Sequence, residues 1–274
     1  MMKKIILALI SLMFVTACDN IDENSRYKDS GNMDAQKCVL LEDFTGQNCP
    51  NCPTASIIAT ELQNASNGNL IVVSIHAGGL SYKTFRTAEG NEYLNTFYSN
   101  GDENGYPAGM IDRSMINDNR VSTEYNKWGT YIASRYQVEA KVGLKVSCVD
   151  DENSSKVVIN TNMEGISVSG EPLRLQLWLI ESGITAWQKV AMSDGSTVTN
   201  ASYVHNHVFR ASINGTWGED IKLSKGENLK KQNDFVFDTS KYNAANCKIV
   251  AFVYNTSTYE VYQCAECNLL NKSN

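Results

Sequence analysis

The hydrophobic pattern of this chain changes period near Gln137, and that change constrains the fold more than any single motif. Before it, short apolar runs alternate with helical stripes. Val39-Leu40-Leu41 leads into Glu42-Asp43-Phe44, and Leu70-Ile71-Val72-Val73-Ser74-Ile75 is a second run, both predicting strands buried on two faces. Leu94, Phe97 and Tyr98 mark one helix face, and Val121, Tyr125, Trp128, Ile132 and Tyr136 mark another. Beyond Gln137 the helical stripes vanish and apolar residues fall at alternate positions, as in Val142, Leu144, Val146, Cys148, then Val157, Ile159, then Leu173, Leu175, Leu177, Leu179. Further strands are expected at Val208 to Ile213, Phe235 to Phe237, Lys248 to Tyr254 and Tyr259 to Leu269, separated by Gly, Asn, Asp and Ser clusters. At 274 residues the chain exceeds one average domain, so the expectation is α+β: an α/β domain over 38–137, then an antiparallel, immunoglobulin-like β-sandwich over 138–274.

The chemistry centres on Cys49-Pro50-Asn51-Cys52-Pro53. A turn-rich stretch, Thr45-Gly46-Gln47-Asn48, ends the first strand, and Ile57, Ile58 and Leu62 then recur at helical spacing, so the two cysteines fall where a helix begins. Unpaired backbone N–H groups and the helix dipole favour a thiolate there, which makes Cys49 the attacking sulfur and Cys52, one turn on, the resolving one. The alternatives are half of a zinc site, for which no second ligand pair lies nearby, and a structural disulfide without redox use. His76, just past the second strand, is expected to be a strand-end polar residue.

Other chemistry-bearing residues give weaker signals. Cys264-Ala265-Glu266-Cys267 repeats the spacing but lies in an alternating segment, where residues three apart point to opposite faces about 10 Å apart and cannot bridge. Cys148 and Cys247 fall on apolar faces, either paired or as buried thiols. His205-Asn206-His207 puts two imidazoles on one strand face with no third metal ligand, and Asp194-Gly195-Ser196 lacks the acidic spacing of a calcium loop. No metal or cofactor is expected.

The N-terminus is an address. Lys3 and Lys4 precede an apolar run from Ile5 to Val15, too short for the ~20 residues of a membrane-spanning helix, and Val15-Thr16-Ala17-Cys18 resembles a bacterial lipobox. Residues 1–17 are expected to be cleaved and Cys18 lipidated, anchoring the protein to a membrane. Of eight cysteines one is then taken by lipid, and the odd number left implies one without an intramolecular partner, Cys38 being a candidate. Residues 18–37 form a polar, flexible tether, in which Asp19, Asp22 and Glu23 are either an export signal of surface lipoproteins or a solvated linker. The formal charge of -6 gives no reason to expect nucleic acid, which needs clustered Lys and Arg.

The order strand, CxxC helix, strand, helix, proline-strand, helix resembles the thioredoxin superfamily. That resemblance implies that Asp43, six residues before Cys49, is a buried acid managing protons for the dithiol, and that Tyr106-Pro107 forms a cis-proline turn facing the cysteines. Asn48 stands where thioredoxins carry tryptophan, and the Pro-Asn pair between the cysteines is more glutaredoxin-like.

Together, the lipobox, the tether, Leu41-Glu42-Asp43-Phe44-Thr45-Gly46 before the CxxCP motif, Asn206-His207-Val208-Phe209-Arg210-Ala211-Ser212 before Gly215-Thr216-Trp217-Gly218, and Val250-Ala251-Phe252-Val253-Tyr254-Asn255 resemble one family. It is the group related to a twenty-eight-kilodalton outer-membrane lipoprotein of gut and oral anaerobes, which implies an outer-membrane location on the periplasmic or cell-surface face. Two functions follow. One is thiol–disulfide exchange on a protein or peptide substrate by Cys49, Cys52, Asp43 and Pro107. The other is surface binding or adhesion carried by the sandwich, with a structural dithiol.

Overall fold

Seven residues buried without exception, Val39–Thr45, form strand β1, which lies parallel to the equally buried β2, Leu70–His76, in register from Val39 beside Leu70 to Thr45 beside His76. The computed structural model describes residues 36–98, 105–150 and 155–270; the signal segment 1–17, Cys18 and all but the last two residues of the tether lie outside the described residues. The described residues belong to one unit, Met33–Asn274. A continuous apolar strand needs cover on both sides, and β1 has it. Leu40 and Phe44 join one core cluster, while Val39 and Leu41 join another with Ala55 and Ala59 of helix α1, Cys52–Ala65.

Helix α2, Ala88–Phe97, is started by Thr87, whose side chain accepts from the Gly90 N–H, and it buries Tyr93 and Leu94 in the first cluster. Strand β3, Ala108–Ile111, runs antiparallel to β1 and carries the short β4, Val121–Ser122, on its other edge. The expected helix from Val121 to Tyr136 is therefore shortened. Val121 pairs with Met110 in a sheet, Tyr125–Lys127 is a tight 3-10 turn, and only Trp128–Arg135 is α-helix, here α3. The indole of Trp128 lies against Gly109, where a Cβ would fall 2.6 Å from the ring, so this glycine is what lets α3 close on β3.

The expected boundary near Gln137 does not coincide with a break in the sheet. Strand β10, Val208–Ser212, adds to the free edge of β2 in parallel, with Val208 beside Ser74 and the Ser74 N–H donating to the His207 carbonyl at 2.8 Å. Beyond it run β7 (Leu173–Glu181), β13 (Cys247–Asn255) and β14 (Val261–Asn268), all antiparallel, and β11 (Glu219–Ile221) also pairs with β7. One nine-stranded sheet thus joins both halves of the sequence. The sequence pattern missed this because periodicity reports which face is buried and carries nothing about which strand is the neighbour.

Strands β5 (Val142–Asp150), β6 (Lys156–Gly165) and β12 (Asn228–Val236) form a second sheet. Its inward residues, among them Val142, Ile159 and Met163, share a core with Leu173, Leu175, Leu177 and Leu179 of β7 and Ile249, Ala251 and Val253 of β13. The opposite faces of β7 and β13, with Trp178, Ile180, Phe252 and Tyr254, belong to the cluster that holds Cys49 and Cys52. The fold is mixed α+β and mostly sheet. Strands β8 (Ile184–Ala191) and β9 (Thr197–His205) form a separate hairpin, whose turn contains Asp194-Gly195-Ser196.

Candidate functional site at the start of α1

The turn after β1 is shaped by a close approach. A Cβ on Gly46 would lie 2.5 Å from the Leu80 carbonyl oxygen, and that same oxygen accepts the Asn48 N–H at 2.9 Å. The chain then reaches Cys49, whose N–H donates to the Gly46 carbonyl, and Cys52 opens α1 with Pro53 in the first turn, where a missing N–H costs nothing. Cys49 and Cys52 are joined as a disulfide with Cα atoms 5.4 Å apart, and the Cys52 N–H donates to Cys49 Sγ at 3.1 Å. Each cysteine is 2% exposed.

Asp43 sits on β1 opposite Gly109 of β3 and Ser74 of β2, 1% exposed, with Oδ1 lacking any hydrogen-bond partner. Burial alone pushes its carboxyl up to about 7 from an ordinary 3.8. With Cys52, Ser56, His76, Gln188 and His205 it lines a small cavity of about 20 Å3, close to the room one water occupies. The Tyr106–Pro107 bond is cis, and Tyr106 and Ala108, on either side of Pro107, share the apolar cluster of Cys49 and Cys52. Ala108 lies beside Phe44 in the β1–β3 register, which brings the proline to the end of the sheet where the cysteine turn begins.

The β8–β9 hairpin closes this site. Gln188 Nε2 donates to the carbonyl oxygens of Cys49 at 2.9 Å and Gly46 at 3.2 Å. The Lys189 N–H reaches the Gln47 carbonyl and the Ala191 N–H the Pro50 carbonyl, so β8 pairs with the cysteine turn as a neighbouring strand would, and the Gln47 amide returns a bond to the Trp187 carbonyl. His205, at the end of β9, packs its ring against His76, Phe85 and Tyr203. Burial lowers His76 to about 3, aided by the nearby His205 and Arg210 charges, and lowers His205 to about 4, so both are neutral imidazoles near pH 7. His76 Nδ1 and His205 Nε2 have no hydrogen-bond partner.

One expectation changes here. His205 and His207 do not share a strand face, because β9 ends at His205 and His207 turns the chain with a positive φ of 57°. Among the described residues no group of three or more His, Cys, Asp or Glu is arranged for a metal. Gln188 carries no local sequence signal, and the His205-Asn206-His207 signal points to a metal pair rather than to this site, since what makes both residues notable is contact with residues more than a hundred positions away.

These features define a β-rich α+β protein with a disulfide at a helix start and an unpaired acid beneath it. The chain belongs to the family described as outer membrane protein Omp28, which it matches over residues 94–271. The match begins after Cys49 and Cys52, so it shows the family without bearing on the dithiol. No curated protein matches the chain. Among solved structures it is similar to HBP35 of Porphyromonas gingivalis, with a TM-score of 0.68, 14% identity, and coverage of 87% of this chain and 77% of that one, a likeness of fold. A domain of the outer membrane lipoprotein Omp28 from Porphyromonas gingivalis aligns at 20% identity over 49% of this chain and 92% of its own, with a TM-score of 0.34. Among the described residues no helix is long and apolar enough to cross a membrane.

Proposed function

We propose that this lipoprotein, anchored through Cys18, performs thiol–disulfide exchange on protein or peptide substrates with Cys49 and Cys52. In this account residues 38–137 are a thioredoxin-like half and residues 138–274 a β-sandwich half, the two sharing a sheet. The observation that carries it is Asp43: an unpaired buried carboxyl lining the same cavity as Cys52, held at about 7, the range in which an acid both takes and returns a proton near neutrality.

In the reductive direction Cys49 thiolate attacks a substrate disulfide, forming a mixed disulfide and expelling one substrate thiolate. Cys52 then gives its proton to the Asp43 carboxylate and attacks Cys49 sulfur. The second substrate thiolate leaves, the substrate is reduced by two electrons, and the Cys49–Cys52 disulfide is restored. Pro107 shapes the edge on which the substrate lies. Because Cys49 is covered, β8 must lift from the cysteine turn before substrate reaches the sulfur. That same cover favours a second account, in which the dithiol staples the start of α1 and the protein binds partners at the surface.

Trapping separates the two. Cys52→Ser, reduced and offered a disulfide-bonded peptide, should accumulate a mixed disulfide at Cys49, and Cys49→Ser should accumulate none. No adduct on Cys52→Ser after the hairpin has been loosened by Gln188→Ala leaves the binding account.

A further inference from the structure

Strand β14 brings two cysteines to opposite faces of the large sheet, as strand alternation requires. Cys264 belongs to the cluster around Cys49 and Cys52, and Cys267 to the core between the two sheets. Each has a different cysteine beside it. Cys267 Sγ lies 3.1 Å from Sγ of Cys148, which sits on β5, 119 residues away in sequence. On the other face the N–H groups of Cys38 and Cys264 both donate to Oε1 of Gln263, at 2.8 and 3.2 Å, which holds the two residues side by side, and the Cys38 thiol reaches the Gly68 carbonyl at 3.9 Å. Of the two expectations for Cys148 and Cys247, a mutual pair or buried thiols, the structure has the second, and Cys38 is a free thiol as expected.

We propose that β14 is riveted on both faces by two structural disulfides, Cys148–Cys267 and Cys38–Cys264. The sulfurs of the first pair are within a small side-chain rotation of the ~2.05 Å bond. An outer membrane lipoprotein works in an oxidising compartment, where such pairs close and persist. Each pair has one partly exposed member, Cys267 or Cys38, and one buried member, Cys148 at 4% or Cys264 at 2%. That division sets the chemistry, for which the oxidant is a disulfide of the glutathione class. The exposed thiol loses its proton and attacks one sulfur of the oxidant, forming a mixed disulfide and releasing one thiolate. The buried thiol then loses its proton and attacks the mixed disulfide, releasing the second thiolate. The protein gives up two electrons and two protons per bridge, and the oxidant becomes two thiols.

The positions explain what the bridges achieve. The first fastens β5, an outer strand of the three-stranded sheet, to β14, the edge strand of the nine-stranded sheet. The second fastens the chain entering β1 to the same edge strand. In the folded chain the Cys148 sulfur and burial raise the Cys267 thiol, and burial raises the Cys264 thiol, above the ordinary cysteine value, so the exchange that closes each bridge takes place as the chain folds, before these thiols are covered. Cys247, which burial and the nearby Glu181 push up to about 12, is left as a thiol.

The test is a thiol map of the full-length lipoprotein extracted from envelope membranes, alkylated at lysis, denatured, alkylated again and digested without reductant. Linked peptides containing Cys148 with Cys267 and Cys38 with Cys264, with Cys247 alkylated, are the expected result. Alkylation of Cys148 and Cys267 overturns the first bridge, alkylation of Cys38 and Cys264 the second, and a Cys264–Cys267 peptide overturns both. The paired variant Cys148→Ala with Cys267→Ala should lower Tm by about 10 °C relative to the oxidised protein, since it opens a long cross-linked loop. An unchanged Tm in that variant counts against a bridge at this position.

Discussion

Glu42 and Asp43 are adjacent carboxylates on one strand, both buried, yet their surroundings are opposite. Glu42 faces the aromatic cluster, where Arg113 grips it with two bonds of 2.8 Å and both side chains are fully enclosed. The rings of Tyr93, Phe97, Trp178, Phe252 and Tyr254 all lie within 5.8 Å of the guanidinium centre. Asp43 faces α1 and the hairpin, with no cation to pair with and a cavity beside it. The first arrangement spends two charges on holding β1 to the turn after β3. The second leaves an acid whose ionisation the fold resists.

This contrast can be broken from either side. Removing the cation should have the largest effect. Arg113→Leu leaves Glu42 charged, buried and alone, and also loses the contacts to the ring cluster, so unfolding free energy should fall by about 5 kcal/mol, measured by urea denaturation at pH 7.5. A loss below about 1 kcal/mol would mean that the Glu42–Arg113 pair does little to hold the fold and that the two carboxylates are not different in kind.

Asp43 should behave in the reverse sense. Its carboxyl in the fold holds a proton from pH 3.8 up to about 7 that the unfolded chain releases, so it lowers stability progressively as pH rises through that window. Asp43→Asn removes the penalty. It should stabilise the protein by about 4 kcal/mol at pH 8 and by almost nothing at pH 4, while slowing exchange near neutrality. Equal stability of variant and parent at both pH values would place Asp43 among ordinary solvated carboxylates.

The smallest effect is expected at the cover. Gln188→Ala deletes the bonds to the Cys49 and Gly46 carbonyls and should cost about 1 kcal/mol of global stability. Its informative consequence is local: after reduction, Cys49 should alkylate several-fold faster than in the parent. An unchanged rate would mean that the hairpin does not control access to the sulfur.

Much of this site was legible from the sequence because its signals are local. A buried strand, a glycine turn, CxxC and a helical stripe lie within two dozen residues, and the structure assembles them as β1, turn, disulfide and α1. The alternation that put Cys264 and Cys267 on opposite faces is equally local. What stayed hidden depends on long-range pairing. Nothing near Glu42 or Asp43 reveals which one has Arg113, since the partner arrives from the far end of β3. Nothing near Gln188 or His205 reveals that a hairpin from the second half folds onto the cysteine turn. The joining of β2 to β10 was hidden for the same reason, and so the two halves read as separate domains when one sheet runs through both.

The central claim is that Asp43 is an unpaired acid poised beside the Cys49–Cys52 pair, and its own titration tests that most directly. Carboxyl carbon NMR of the oxidised protein, with Asp43 assigned by comparison with Asp43→Asn, should show one aspartate titrating with a midpoint at about 7. A midpoint near 3.8 would show a carboxylate that the fold does not hold protonated, and the proton-transfer role assigned to it would fall.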